Sequence, residues 1–102
     1  MEWGRSKMKL KDLEMMPTEI PNGVQAILQF GDNYQLSIVQ SDFSYGGKQG
    51  KYEIGVFKNG DMTEMPGITE AGDTIKGFLS EEDVNAIIKK MHLVSGADPI
   101  QI

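Results

Sequence analysis

The sequence predicts an α+β fold, with an antiparallel β-meander of about four strands packed by one C-terminal helix. Three observations lead to this prediction. Apolar and polar residues alternate with period two along residues 24–30, 34–41 and 51–58, as in strands that bury one face. The dipeptide Asn59-Gly60 is a strong signal for a tight hairpin turn. From Ser80 onward, the apolar residues recur at helical spacing instead.

The composition indicates one small globular domain. The chain has 102 residues, of which 39% are hydrophobic and 25% charged. It has no cysteine, so it can form neither a disulfide framework nor a thiolate zinc site. No apolar run approaches the roughly 20 residues that cross a bilayer. No apolar segment follows the basic N-terminus, so a secretory signal is not expected. We therefore expect a cytoplasmic protein without membrane contact.

The chain is expected to divide into a peripheral, partly mobile N-terminal arm over residues 1–23 and a single α+β domain over residues 24–102. Within the arm, one or two helical turns would place Leu10 and Leu13 on the same side. Trp3 is expected to be loose or docked on the sheet.

The loop of the first hairpin determines how its strands pair. A three-residue loop at residues 31–33 places Phe30 opposite Tyr34 and Leu28 opposite Leu36. A two-residue loop would instead shift the register by one residue and mix the apolar and polar faces. The sequence therefore predicts the three-residue loop, with Gly or Asn at positive φ.

The Asn59-Gly60 turn is expected to return the chain as a strand over residues 61–65. That register would pair Val56 with Thr63 and Ile54 with Met65. Residues 68–79 are then expected to form an irregular connection, because glycines interrupt them.

The C-terminal helix has recognisable start and stop signals. Ser80 is a favourable N-cap, and the acidic residues that follow it suit the positive end of the helix dipole. Leu79 and Val84 occupy the two positions of a hydrophobic staple. Gly96 is the predicted end of the helix. One apolar stripe is predicted, consisting of Val84, Ile87, Ile88 and Met91.

The segment of residues 42–61 is the candidate interaction surface, because it contains several aromatic residues together with lysines. The glycine-rich segment 45–51 lacks the spacing of a phosphate-binding loop and is expected to be a flexible hairpin tip. The candidate surface residues are Phe43, Tyr45, Lys48, Lys51 and Phe57.

No catalytic, cofactor-binding or metal-binding residues can be assigned, and no cofactor is expected. Four acidic residues, Asp61, Glu64, Glu70 and Asp73, lack the dense pattern of a calcium loop. The only histidine, His92, is near the predicted helix C-terminus and is interpreted as a dipole partner. Enzymatic activity is therefore not indicated.

Methionine is abundant in this chain. Four of the methionines outside the helix stripe would either form an adaptable apolar contact surface or fill gaps in a small core. These are Met15, Met16, Met62 and Met65.

Several motifs between residues 44 and 91 carry a resemblance to a known group of proteins. They are the turn Ser44-Tyr45-Gly46-Gly47, the strand Tyr52-Glu53-Ile54-Gly55-Val56, the Asn59-Gly60 hairpin and the helix start Gly77-Phe78-Leu79-Ser80-Glu81-Glu82-Asp83-Val84. In these motifs the chain resembles small uncharacterised proteins encoded by tailed bacteriophages. It departs from them between Met65 and Gly77, where their link is shorter and more acidic. The resemblance implies a viral accessory protein and transfers no functional residue.

These observations favour a small non-enzymatic phage accessory protein that acts by protein–protein interaction, with a host partner or with itself. An open four-stranded meander has two exposed edges, and edge pairing would give a dimer. One alternative is an acidic inhibitor of a host nucleic-acid enzyme, using the seven acids between Asp61 and Asp83. Another is a weak binder of single-stranded nucleic acid through the aromatic hairpin. The net charge of −5 disfavours nucleic acid as a partner.

Overall fold

One antiparallel sheet and one helix build the fold in the computed structural model, which describes residues 8–102. The predicted α+β class, the antiparallel sheet and the C-terminal helix are confirmed. Trp3 lies outside the described residues. The elements are β1 (Met16–Pro17), β2 (Val24–Phe30), β3 (Tyr34–Gln40), β4 (Tyr52–Lys58), β5 (Asp61–Met62), β6 (Ile75–Leu79), α1 (Glu81–Ser95) and β7 (Pro99–Gln101), with short 3₁₀ turns at Leu10–Asp12 and Gly47–Gln49.

The sheet has seven strands, so the prediction of about four is wrong. Its centre is the predicted meander β2-β3-β4, with seven residues in each strand. Two short strands share each flank of this meander: β1 and β7 both pair with β2, whereas β5 and β6 both pair with β4. The short strands have two to five residues, too few to show a clear alternation in the sequence.

The register of the first hairpin is as predicted. Phe30 lies opposite Tyr34 and Leu28 opposite Leu36. Gly31 takes a φ of 65°, the left-handed conformation expected in the three-residue loop. The alternation of the sequence therefore places Leu28, Phe30, Leu36 and Ile38 together on the buried face of β2 and β3.

The second hairpin begins as predicted and then departs from the prediction. The Thr63 N–H donates to the Val56 carbonyl at 2.8 Å, which confirms that these residues are opposed. The pairing of Ile54 with Met65 is wrong, because β5 ends at Met62 and Ile54 lies opposite Lys76 of β6. Met65 is instead buried in the core, and its N–H donates to Thr69 Oγ1 at 2.9 Å.

Strand β6 also corrects the expectation of an irregular connection over residues 68–79. Ile75 lies opposite Gly55, whereas Leu79 lies opposite Tyr52, so β6 has one more residue than β4 over this stretch. Phe78 adopts a φ of 57°, which is unusual for an aromatic residue. This irregularity returns Leu79 to the core side of the sheet, where it is buried.

Helix α1 covers one face of the sheet and forms the core with it. Each fully buried large side chain in such a core contributes about 1.5–3 kcal/mol. Leu10, in the segment expected to be a peripheral arm, is also buried, and its N–H donates to Asn85 Oδ1 at 2.7 Å. The largest fully buried side chains are Phe30, Leu28, Leu36, Ile38, Ile54, Ile88, Met91, Val56 and Val84.

Both ends of α1 are capped as the sequence predicts. Ser80 Oγ accepts the Asp83 N–H at 3.1 Å, and Asp83 Oδ2 accepts the Ser80 N–H at 3.0 Å. The hydrogen bond from the Ser80 backbone, assisted by the Ser80 side chain, holds the pKa of Asp83 below its ordinary value. Gly96 ends the helix at a φ of 70°.

The last turn of α1 contains His92, which is mostly buried. Its Nδ1 lies 2.8 Å from the Ala97 carbonyl oxygen and 3.4 Å from Asp98 Oδ1. The imidazole therefore links the end of the helix to the segment that leads into β7. Within residues 8–102, no helix has both the length and the apolar character needed to span a bilayer.

The capping box predicts a pH-dependent stability difference between the wild type and Asp83→Asn. Because the pKa of Asp83 is depressed in the folded state, its carboxylate stabilises the fold above the unfolded-state pKa of about 3.9. This contribution disappears as the pH falls through the folded-state pKa. Urea unfolding should therefore show a larger loss of stability for Asp83→Asn at neutral pH than at pH values below the folded-state pKa.

Glu82→Gln is the matched control, since it removes one acid from the same helical turn without removing the hydrogen bond to Ser80. A difference between wild type and Asp83→Asn that does not change with pH would contradict the role of this carboxylate.

Candidate interaction surface

The sheet has a second face, turned away from α1, and no helix of residues 8–102 packs on it. We call this surface the open face. Its residues form three rows that run across the strands, as the pairing registers define them. The rows are Met16, Gln25, Val39 and Glu53; Ile102, Ile27, Ser37, Gly55 and Ile75; and Ile100, Gln29, Gln35, Phe57 and Met62.

The open face is almost without charge. Of its fourteen residues only Glu53 has a charged side chain, although a quarter of the residues of the whole chain have one. Glu53 Oε1 also accepts the Tyr45 N–H at 2.8 Å, so this carboxylate is already hydrogen-bonded within the fold. A sheet face in contact with water is usually rich in polar and charged residues, whereas the centres of protein interfaces are depleted of charge. In its lack of charged side chains the open face differs from a typical solvated sheet face.

The polar side chains of the open face bond to the protein itself. Gln25 Nε2 donates to Ser37 Oγ at 3.0 Å, and Gln35 Nε2 donates to Gln29 Oε1 at 2.7 Å. Gln29 Nε2 in turn donates to the Gly31 carbonyl at 2.8 Å. Because these groups already have partners, covering them with another apolar surface costs less than burying unpaired amides.

The centre of the open face is recessed relative to its surroundings, because small residues occupy it. Ser37 lies in the middle row on the middle strand, and its neighbour Gly55 has no side chain. A Cβ on Gly55 would lie 3.5 Å from both Ile75 Cγ2 and Met62 Cε, so these two side chains enclose it at ordinary contact distance. The surface therefore has a floor of small residues beside larger apolar ones.

The loop between β3 and β4 contains four of the five predicted surface residues. Backbone hydrogen bonds of Tyr45 hold this loop against the sheet. The Phe78 N–H donates to the Tyr45 carbonyl at 3.0 Å, in addition to the bond from Tyr45 to Glu53. A Cβ on Gly47 would lie 1.7 Å from the Ser41 carbonyl oxygen, so only glycine fits this turn. The segment expected to be a flexible tip thus has a defined path across β6.

Three aromatic side chains project from this end of the molecule. Phe43 is 76% exposed, Tyr45 59% and Phe78 54%. The rings of Tyr45 and Phe78 lie with their centroids 6.5 Å apart and their planes tilted by 31°. The sequence did not indicate Phe78, because its position was interpreted as part of an irregular connection.

The five predicted residues do not form one cluster. Phe43 and Tyr45 lie on the loop, and Lys48 and Lys51 are exposed near its 3₁₀ turn. Phe57 is on the open face in the row farthest from the loop, about 13 Å along β4 from Glu53 by the strand rise. Tyr52 packs against the core, so it lies on the opposite face of β4 from Phe57.

A shallow cavity joins the loop to the open face. It has a volume of about 270 Å³, with Ile20 and Phe43 among its walls and Val39 and Glu53 on the sheet side. A second cavity, of about 300 Å³, lies between β6 and α1. There Lys90 Nζ donates to the Gly67 carbonyl at 2.8 Å.

Lys76 also lines the second cavity, and it pairs with Glu70. The hydrogen bond from Lys76, together with its charge, lowers the pKa of Glu70. No group of three or more His, Asp or Glu side chains in residues 8–102 is arranged to hold a metal ion. Lys90 thus connects the segment 67–76 to the helix, and the Lys76–Glu70 pair forms a contact within that segment.

The methionines divide between the two interpretations of the sequence. Met16 and Met62 are half exposed, at 50% and 49%, and lie on the open face. Met65 is buried in the core, and Met15 packs partly against it. Gap-filling therefore describes the buried pair, whereas the exposed pair is accessible for contact.

Comparison with protein-family models, with curated proteins and with solved structures gives no match to this chain. The resemblance to tailed-phage proteins therefore stays a prediction.

The close packing of the loop on β6 predicts opposite effects of two Gly→Ala substitutions. A Cβ on Gly77 would lie 2.2 Å from Tyr45 Cβ, whereas a Cβ on Gly55 fits without a close contact. We expect Gly77→Ala to destabilise the protein by about 1–3 kcal/mol and to release the loop. Gly55→Ala should be neutral or stabilising by up to about 1 kcal/mol.

Amide hydrogen exchange by NMR distinguishes a released loop from general loss of stability. In Gly77→Ala, the Phe78 amide should lose its protection, while the amides of β2 and β3 stay protected. Equal protection of the Phe78 amide in both variants would show that the loop is not held by this contact.

Proposed function

We propose that this protein is a small non-enzymatic phage accessory protein that binds another protein through the open face of its sheet. The observation that carries the proposal is the composition of that face, where the hydrogen-bonded Glu53 has the only charged side chain among fourteen residues. The phage origin rests on the sequence resemblance alone. Phe43 borders the open face through the shallow cavity and extends the apolar contact surface.

The energetics of the open face support a protein partner. Its apolar residues gain about 25 cal/mol per Å² when they are removed from water, while its glutamines keep their internal hydrogen bonds. Exposed aromatic residues such as Phe43 and Tyr45 are enriched at the centres of protein interfaces. A partner with a flat and uncharged surface suits this chemistry.

The two alternative functions have less structural support. Among the seven acids between Asp61 and Asp83, Glu70 pairs with Lys76, Asp83 caps α1, and Glu64 accepts the Gly72 N–H at 2.7 Å. These carboxylates are used by the fold, which weakens the case for a phosphate-mimicking surface. The open face carries no lysine or arginine that would hold a nucleic-acid backbone.

Capture experiments with matched variants test the proposal. The double variant Gln35→Lys/Ile100→Lys adds two charges to the open face, and Leu93→Lys/Val94→Lys adds two charges to exposed positions of α1. Tagged wild-type protein should retain a binding partner, either a host protein or an untagged copy of itself, because its apolar face is intact. The open-face variant should lose most of this partner, and the helix variant should retain it.

Mass spectrometry of the retained proteins gives the readout, and circular dichroism confirms that both variants are folded. Equal retention of the same partner by the two double variants would contradict a role for the open face.

A further inference from the structure

We propose that the occupant of the open face is a second copy of this chain, stacked face to face to give four layers in the order helix, sheet, sheet, helix. The inference rests on the proposed function, in which the open face is a protein-binding surface, and it identifies the partner. Three properties of the molecule support it: the location of its charges, the area of the face and the arrangement of its residues.

In this arrangement the acidic helix layers of the two copies would lie far apart, and Glu53 would be the one charged side chain that each open face brings to the interface. Each chain has a net charge of −5, so most contacts between two copies would bring acidic groups together. The acidic first turn of α1 belongs to the helix layer, on the opposite side of the sheet. With layers about 10 Å apart, the two helix layers would be separated by roughly 30 Å, several times the Debye length of about 8 Å. Face-to-face stacking therefore avoids the repulsion.

The area of the open face suits a specific dimer. Five strand positions at a spacing of about 4.8 Å and seven residues at about 3.3 Å give a surface of roughly 24 by 23 Å. Two such surfaces would bury about 1,100 Å² in total, near the lower end of stable interfaces. We therefore expect a dimer that dissociates on dilution.

The residues of the open face are arranged to suit a copy of themselves. Two sheets packed at about −30° approach unevenly at their corners. Met16 and Met62 occupy diagonally opposite corners, where unbranched side chains can adapt to that spacing. For a two-fold axis between the sheets, along or across the strands, the central residue of one face meets its own copy in the other. That residue is Ser37.

Charge substitutions at Ser37 test the dimer. Light scattering should show a concentration-dependent dimer for the wild type. Ser37→Lys and Ser37→Glu should each raise the dissociation constant at least about tenfold, because each places two like charges at the axis. An equimolar mixture of the two variants should recover the dimer, since lysine then faces glutamate. This recovery also shows that neither variant has simply unfolded. Leu93→Lys, on the exposed side of α1, should dimerise like the wild type.

A wild-type protein that stays monomeric at sub-millimolar concentration would overturn the inference. So would a dimer that neither Ser37 variant weakens, or a mixture that does not recover association. A different result would contradict the proposed function itself: capture of a partner that the double variant Gln35→Lys/Ile100→Lys does not reduce. Loss of a captured host protein in that variant, with a monomeric wild type, would leave the open face as the binding surface for a different occupant.

Discussion

The whole architecture depends on the burial of one face of three long strands against one helix. Phe30, Leu36 and Ile54 are completely buried there, together with Val84 and Met91 from the helix. Because the chain supplies a single α-helix within residues 8–102, only one side of the sheet is covered in this way. The opposite side is poor in charged side chains although no helix within residues 8–102 covers it.

Local signals explain the part of the fold that the sequence could predict. The alternation along β2, β3 and β4 identifies their core face, and the loop at residues 31–33 fixes the first register. The N-cap at Ser80 and the stop at Gly96 define α1 because capping depends on a few neighbouring residues.

The remaining strands depend on contacts between distant parts of the chain. Strand β7 pairs with β2 across about seventy residues, and its three residues carry no periodic signal. Strand β6 was hidden by Gly77 and by the irregularity at Phe78, which break the alternation that a strand would show. Met65 is likewise buried in the core instead of pairing in the expected strand, and no local sequence pattern indicates this burial.

The candidate surface was only partly visible in the sequence. The aromatic residues and lysines of the sequence indicate Phe43, Tyr45 and Phe57 as candidates. In the structure Phe43 and Tyr45 lie on the loop, whereas Phe57 lies apart from them on β4. The stronger signal was the missing charge at alternate positions of the strands, for example at Gln25, Ile27 and Gln29. These uncharged positions indicate an interaction surface only once the structure shows that no helix within residues 8–102 covers the open face.

The short flanking strands disfavour edge pairing as the route of the proposed self-association. Edge pairing requires long exposed strands, whereas both flanks of the meander carry strands of two to five residues. Short edge strands of this kind resist pairing with another chain. The open face provides a broader surface, and its only carboxylate is already bonded to the loop.

Methyl NMR in the presence of a soluble paramagnetic agent tests the central claim most directly. Our account predicts that the methyl groups of Ile27 and Ile75, on the open face, become protected from the agent as the protein concentration rises. The methyl groups of Leu93, on the exposed side of α1, should remain accessible throughout. Accessibility of the open-face methyl groups that does not change with protein concentration would contradict the face-to-face dimer.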